Sequence, residues 1–207
     1  MNESVNPILT IGHSTHTIEH FVSLLTKHRI GVIVDVRSQP YSRVNPQFNK
    51  HDLKTALSAE GIKYVFLGKE LGARSDDPDH YVNGRVQYDR LAKTNQFRHG
   101  IDRLVTGQSQ HRIALMCAEK EPLDCHRTIL ISKELVDAGQ RVCHIMSDGK
   151  LERHEDTMKR LMQQLKIPER DLVSNEREQL ERAYEVQAER IAFVDGEFEQ
   201  NGNKTSS

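Results

Sequence analysis

Short aliphatic runs alternating with stretches of helical period set the plan of this chain. Pro7–Ile11 predicts a first strand that ends in Gly12-His13-Ser14. Ile18, Phe21, Leu24 and Leu25 then recur at helical spacing, with Thr15 or Thr17 as the cap and Gly31 beyond the end. Val32–Val36 is a β-branched run that predicts a second strand, closed by Arg37. Two prolines make 38–49 a loop, after which Asn49 or Asp52 can cap a helix over Leu53, Ala56 and Leu57. Ile62–Leu67 predicts a third strand, and a long loop runs from Gly68 to about Arg85. Val86–Val105 predicts a helix, Ile113–Cys117 a fourth strand, and a further helix begins at about Cys125 with Asp124 as its N-cap. Arg141–Met146 gives a fifth strand, turning at Ser147-Asp148-Gly149, and a charged helix covers roughly Glu152–Leu165 before Pro168.

Five such alternations predict an α/β fold: three layers, with a mainly parallel five-stranded sheet and helices on both faces. Residues 1–167 are expected to form a single domain, and 168–207 a charged helical extension with a disordered tail. In such sheets ligands sit beyond the carboxyl ends of the strands, so the polar residues that follow each strand converge on one rim.

Composition narrows the function classes. The chain has 29 Lys+Arg against 30 Asp+Glu and a formal net charge of −1, so no global basicity advertises a nucleic-acid or membrane surface. No apolar run is long enough to span a bilayer, and the start lacks a charged region followed by an apolar stretch. Three cysteines, an odd number, argue for free thiols in a reducing compartment, and the expectation is a cytoplasmic protein. The absence of tryptophan weakens any base-stacking platform.

The chemistry concentrates between residues 112 and 138, where Cys117, Glu119, Cys125, His126 and Arg127 crowd one strand-to-helix crossing. At a helix N-terminus the free amides and the dipole attract anions and lower a cysteine pKa, and Arg127 adds a bidentate donor. Cys125, His126, Glu119 and Asp35 are the candidate catalytic residues. His13, Ser14, Arg37, Arg43 and Arg127 are the candidate ligand-binding ones. Asp35 and Arg37 could equally form an ion pair that orders the following loop. Cys117, Cys125 and His126, with His13, could supply metal ligands, although Cys-x7-Cys-His is not a common zinc spacing. Neither cysteine has an arginine at the spacing of a phosphate-cradling Cys…Arg loop, and no Walker or dinucleotide-binding glycine motif is present, so no cofactor is identified.

These residues support an enzyme of hydrolysis or group transfer on a small anionic, phosphate-containing or nucleotide-like ligand. The alternatives are a non-catalytic nucleotide- or metal-binding sensor, and a nucleic-acid-processing protein in which Arg37, Arg43, Arg74 and Arg85 meet phosphates. The elements IGHS (11–14), DVR (35–37), PYSRVNPQFN (40–49), LGKELG (67–72), MCAEKEPLDCHR (116–127) and HIMSDG (144–149) together resemble the domain of unknown function 488 family. That resemblance implies one compact α/β domain over about residues 8–165 and is silent on activity.

Overall fold

The computed structural model describes residues 6–170, 173–196 and 198; the expected disordered tail lies outside them. The parallel strands form where the aliphatic runs predicted them: β1 (Ile8–Gly12), β2 (Val32–Asp35), β3 (Lys63–Phe66), β6 (Ile113–Cys117) and β7 (Val142–Ile145). A sixth strand, β8 (Leu151–Arg153), pairs antiparallel with β7, and the sheet order is β3-β2-β6-β1-β7-β8. The fold is therefore α/β with a mainly parallel sheet, one edge strand wider than expected. Three residues of alternating character carry too little periodicity to announce β8, and the helix expected from Glu152 starts instead as α7 (His154–Leu165).

Side chains alternate between two apolar layers. Val32, Val34, Leu115 and Cys117 face one core, which is covered by α5 (Asn95–Gln108), α7 and α8 (Glu176–Ile191). Leu9, Ile11, Ile33 and Met116 face the other, covered by α1 (Ile18–Lys27) and α2 (Lys50–Ala59). Helix α1, which follows β1, and the helical segment that follows β6 thus lie on opposite faces, although β1 and β6 are neighbours. Such a reversal opens a crevice at the carboxyl ends of the two strands.

Elsewhere the elements are shorter than expected. The stretch from Gly68 contains a helical turn, α3 (Gly68–Leu71), and a hairpin of β4 (Tyr81–Val82) and β5 (Arg85–Val86). The helix expected over 86–105 is two, α4 (Tyr88–Ala92) and α5, because the Thr94 hydroxyl accepts the Phe97 amide and starts a new helix. Helix α8 begins with a capping box between Asn175 and Glu178 and buries Ala183 and Tyr184 in the first core.

Candidate functional site

The loop after β6 is held from every side. Its carbonyls at Cys117 and Ala118 accept the His13 and Ser14 amides, each at 2.9 Å. The Arg127 guanidinium donates to Glu119 O (2.8 Å) and Lys120 O (3.3 Å). From α7, Arg160 donates to Glu121 (2.8 Å), and from α8 Gln187 donates to Leu123 O (2.9 Å). Gly12 permits the closest approach, since a Cβ there would overlap the Glu119 carbonyl oxygen. The C-terminal helix thus fixes the loop that carries Glu119.

This loop delivers Cys125 differently from the sequence expectation. Asp124 is exposed at the end of a 3₁₀ turn and does not cap the helix. Cys125 is extended (φ −136°, ψ 138°), its carbonyl accepts the Thr128 and Ile129 amides, and its own Sγ accepts the Arg127 amide at 3.4 Å. Cys125 is therefore itself the N-cap. Beyond it the chain winds as a π-helix over Arg127–Ser132 before α6 (Lys133–Asp137), with the Ser132 hydroxyl donating to Arg127 O.

Around Cys125 lies a cluster of reactive groups. Its Sγ stands 2.9 Å from Glu119 Oε2 and 3.9 Å from His126 Nδ1, and Cys117 Sγ stands 3.7 Å from the same nitrogen. His126 Nε2 donates to Val36 O at 3.1 Å, which leaves Nδ1 facing the two sulfurs. Cys117, Cys125, His126 and Arg127 are all buried, and Arg127 Nε has no hydrogen-bond partner among the described residues. Glu119 is exposed as a residue, yet its carboxyl group sits among crowded atoms. Solvent can therefore reach Glu119 while its reacting end remains desolvated.

Electrostatics polarises the cluster. Burial alone would raise the Cys125 pKa, but the Cys117 thiol hydrogen bond, the Arg127 charge and His126 bring it well below the ordinary thiol value. The hydrogen bond with Cys125, reinforced by burial, drives Cys117 the other way. Burial and the nearby Cys125 raise Glu119. Burial opposes charge on His126, but the Cys125 hydrogen bond and charge outweigh it and raise its pKa. Burial, followed by the charges of Cys125, Cys117 and Glu119, raises Tyr88. Tyr88 also lines a cavity of about 430 Å³ with Ile129, Leu130, Lys133 and Tyr184.

The other candidates form a separate group on the opposite face. Asp35 is in register with Met116, one residue before Cys117, so the two side chains leave the sheet in opposite directions. Asp35 is fully buried and accepts Arg37 N (3.1 Å) and Nε (2.9 Å) on one oxygen, and Arg37 Nη2 (2.7 Å) and the Tyr64 hydroxyl (2.7 Å) on the other. Arg37 Nη2 also donates to Phe48 O, and Nη1 donates to His13 Nε2 at 3.2 Å. His13 Nδ1 donates to Ser14 O, its ring stacks on Phe48, and burial lowers its pKa to about 4. Ser14 adopts a left-handed conformation (φ 50°), which brings its carbonyl to His13.

This is the loop-ordering ion pair, extended by His13 and by Tyr64, of which the sequence singled out only the histidine. Arg37 directs its side-chain donors to Asp35, Phe48 O and His13 within this group. Arg74 packs over the Phe193 ring, Arg85 is half-buried, and Arg43 is exposed. His126, bonded to Val36 O, joins the two groups through the backbone of β2.

A third polar group was also missed. Thr10, His144, His154 and Tyr184 form a buried chain with links of 2.8, 3.1 and 2.6 Å. Its members come from β1, β7, α7 and α8, and no local pattern joins them. Cys143, on β7, is half-buried.

Cys117, Cys125 and His126 also form the one set of metal-capable side chains found among the described residues, their ligand atoms all within 4.8 Å of one another. Among those residues no helix is long and apolar enough to cross a membrane. No curated protein and no solved structure matches the chain. The family described as domain of unknown function DUF488 matches residues 17–133, from the cap of α1 through the whole Cys-Ala-Glu…Cys-His-Arg loop, and the chain belongs to that family.

Proposed function

We propose that this protein is an enzyme of hydrolysis or group transfer on a small phosphate-containing or nucleotide-like ligand, with the Cys125 cluster as its reacting centre. One contact carries the reading: Cys125 Sγ lies 2.9 Å from Glu119 Oε2, a separation that requires one proton between two acids. A thiol whose pKa is lowered and a carboxyl group whose pKa is raised move toward one another and form a donor–acceptor pair able to exchange that proton.

In this reading the Cys125 sulfur supplies the electron pair and Glu119, open to solvent, moves the proton. His126 supports negative charge on the sulfur. Arg127, buried without a carboxylate hydrogen-bond partner among the described residues, supplies the positive potential that suits an anionic ligand. Asp35, Arg37, His13 and Ser14 shape the adjoining loop, and exposed Arg43 is left as a contact for an anionic group. Three free thiols suit a reducing compartment and support a cytoplasmic setting.

The test is a panel of nucleotides and small phosphate esters, followed by phosphate release and product mass. The reading expects turnover of at least one class, lost in Cys125→Ser and Glu119→Gln and kept in Cys143→Ser. Turnover indifferent to both cluster variants, or none across the panel, overturns it.

A further inference from the structure

We propose that Cys117, Cys125 and His126 bind a divalent zinc-class ion, leaving a fourth coordination position that Glu119 faces. The inference concerns the same centre as the proposed enzyme, and rests on that reading only for what the ion does.

The geometry is already close to that of a bound site. A tetrahedral ion about 2.3 Å from sulfur and about 2.1 Å from nitrogen sets a sulfur–nitrogen edge of about 3.6 Å. The two edges here are 3.7 and 3.9 Å. All three ligand atoms fall within 4.8 Å of one another and belong to buried residues. The histidine is prepared as well. Its Nε2–H is committed to Val36 O, the outer-shell bond that fixes a ligating imidazole and points the other nitrogen at the metal. Two thiolates and an imidazole form a soft, borderline set that favours zinc over magnesium or calcium.

Charge gives a second, independent argument. Arg127 is fully buried, with Nε unpartnered and its other bonds made to carbonyls, so no carboxylate among the described residues hydrogen-bonds to it. With an ion bound, two thiolates and the Glu119 carboxylate offset the ion and Arg127, and the buried cluster is formally neutral. Binding releases the Cys117 proton and the one shared by Cys125 and Glu119, so charge is conserved as a divalent ion enters and two protons leave.

The fourth position belongs to water. Glu119 Oε2 is only 2.9 Å from the Cys125 sulfur, whereas a sulfur–oxygen edge in a tetrahedral site is about 3.5 Å. Its place therefore suits the second shell. From there the freed carboxylate would accept a proton from a water in the open position, and the ion would keep the Cys125 sulfur, the electron-pair donor of the proposed reaction, as a thiolate. The unusual Cys-x7-Cys-His spacing follows from the topology, because the ligands come from a strand end and a helix start rather than from a knuckle or hairpin.

The experiment uses the full chain, purified under reducing conditions, with metal analysis by mass spectrometry and replacement of the metal by cobalt. The proposal expects about one zinc per chain and a tetrahedral cobalt spectrum with sulfur-to-cobalt charge transfer. Cys117→Ser should lower the charge-transfer intensity by about half and weaken zinc retention more than tenfold. Reduced wild-type protein that holds no zinc and gives no charge-transfer band overturns the proposal without recourse to any variant. So does an octahedral, sulfur-free cobalt spectrum, which marks adventitious binding. A zinc-loaded protein that turns over nothing in the substrate panel removes the enzyme reading and leaves the metal site standing.

Discussion

Replacing Asp35 with Asn isolates one buried, paired charge. The carboxylate is fully buried and accepts four hydrogen bonds, three of them from Arg37. Asn keeps the shape but removes the charge, and it turns an NH2 group toward a guanidinium or a hydroxyl that is already a donor. Arg37, itself only 6 % exposed, is then left as an uncompensated buried cation. Removing one partner of such a pair costs about 3–5 kcal/mol, a large share of the roughly 5–15 kcal/mol that holds a domain together. For a chain of this size that corresponds to a fall in Tm of about 6–20 °C.

Urea unfolding followed by circular dichroism, with the slope unchanged, measures the loss. Because Arg37 also donates to Phe48 O, proteolysis should rise around exposed Tyr41 and Val44. The double variant Asp35→Leu with Arg37→Met removes both charges and should be more stable than Asp35→Asn. A loss below about 1 kcal/mol, or a double variant no better than the single one, would refute the argument.

Two further outcomes follow from the same geometry. Burial lowers the His13 and His154 pKa values to about 4 and holds that of His144 well below its ordinary value, so acid favours the unfolded chain, which protonates near 6.5. Stability should therefore fall as pH drops from about 6.5 to 4, by on the order of 3 kcal/mol for each of His13 and His154 at the acid end. His126 acts with the opposite sign, and a denaturation midpoint independent of pH across that window would contradict the burial argument. Gly12→Ala should push the Glu119 carbonyl away from β1 and loosen the Arg127 anchor, costing about 1–3 kcal/mol; unchanged stability together with unchanged Cys125 titration would show that the close approach is dispensable.

The parallel strands were legible because each is a run of aliphatic residues with a polar residue or a turn at its end. The two-layer alternation was legible in part: Asp35 is in phase with Ile33, and Cys117 with Leu115. Only the β2–β6 register shows that these phases point to opposite faces, and register is a property of pairing rather than of either strand. That is why a single expected rim resolves into two groups. The start of the helix after β6 was misjudged because Asp outranks Cys as an N-cap on propensity, while the 3₁₀ turn at Pro122 had already used the residues before Cys125. The His144–His154–Tyr184 chain left no trace in the sequence, since its members are 10 and 30 residues apart on three elements.

The measurement closest to the central claim is the titration of Cys125 in metal-free protein. It can be followed by ultraviolet thiolate absorbance in a Cys143→Ser background, where the raised Cys117 thiol titrates well above Cys125, and compared with the same background carrying Glu119→Gln. A thiolate forming well below the ordinary cysteine range, in a step whose midpoint moves when Glu119 is neutralised, is the predicted result. A Cys125 that titrates as an ordinary buried thiol, untouched by Glu119→Gln, would contradict the account.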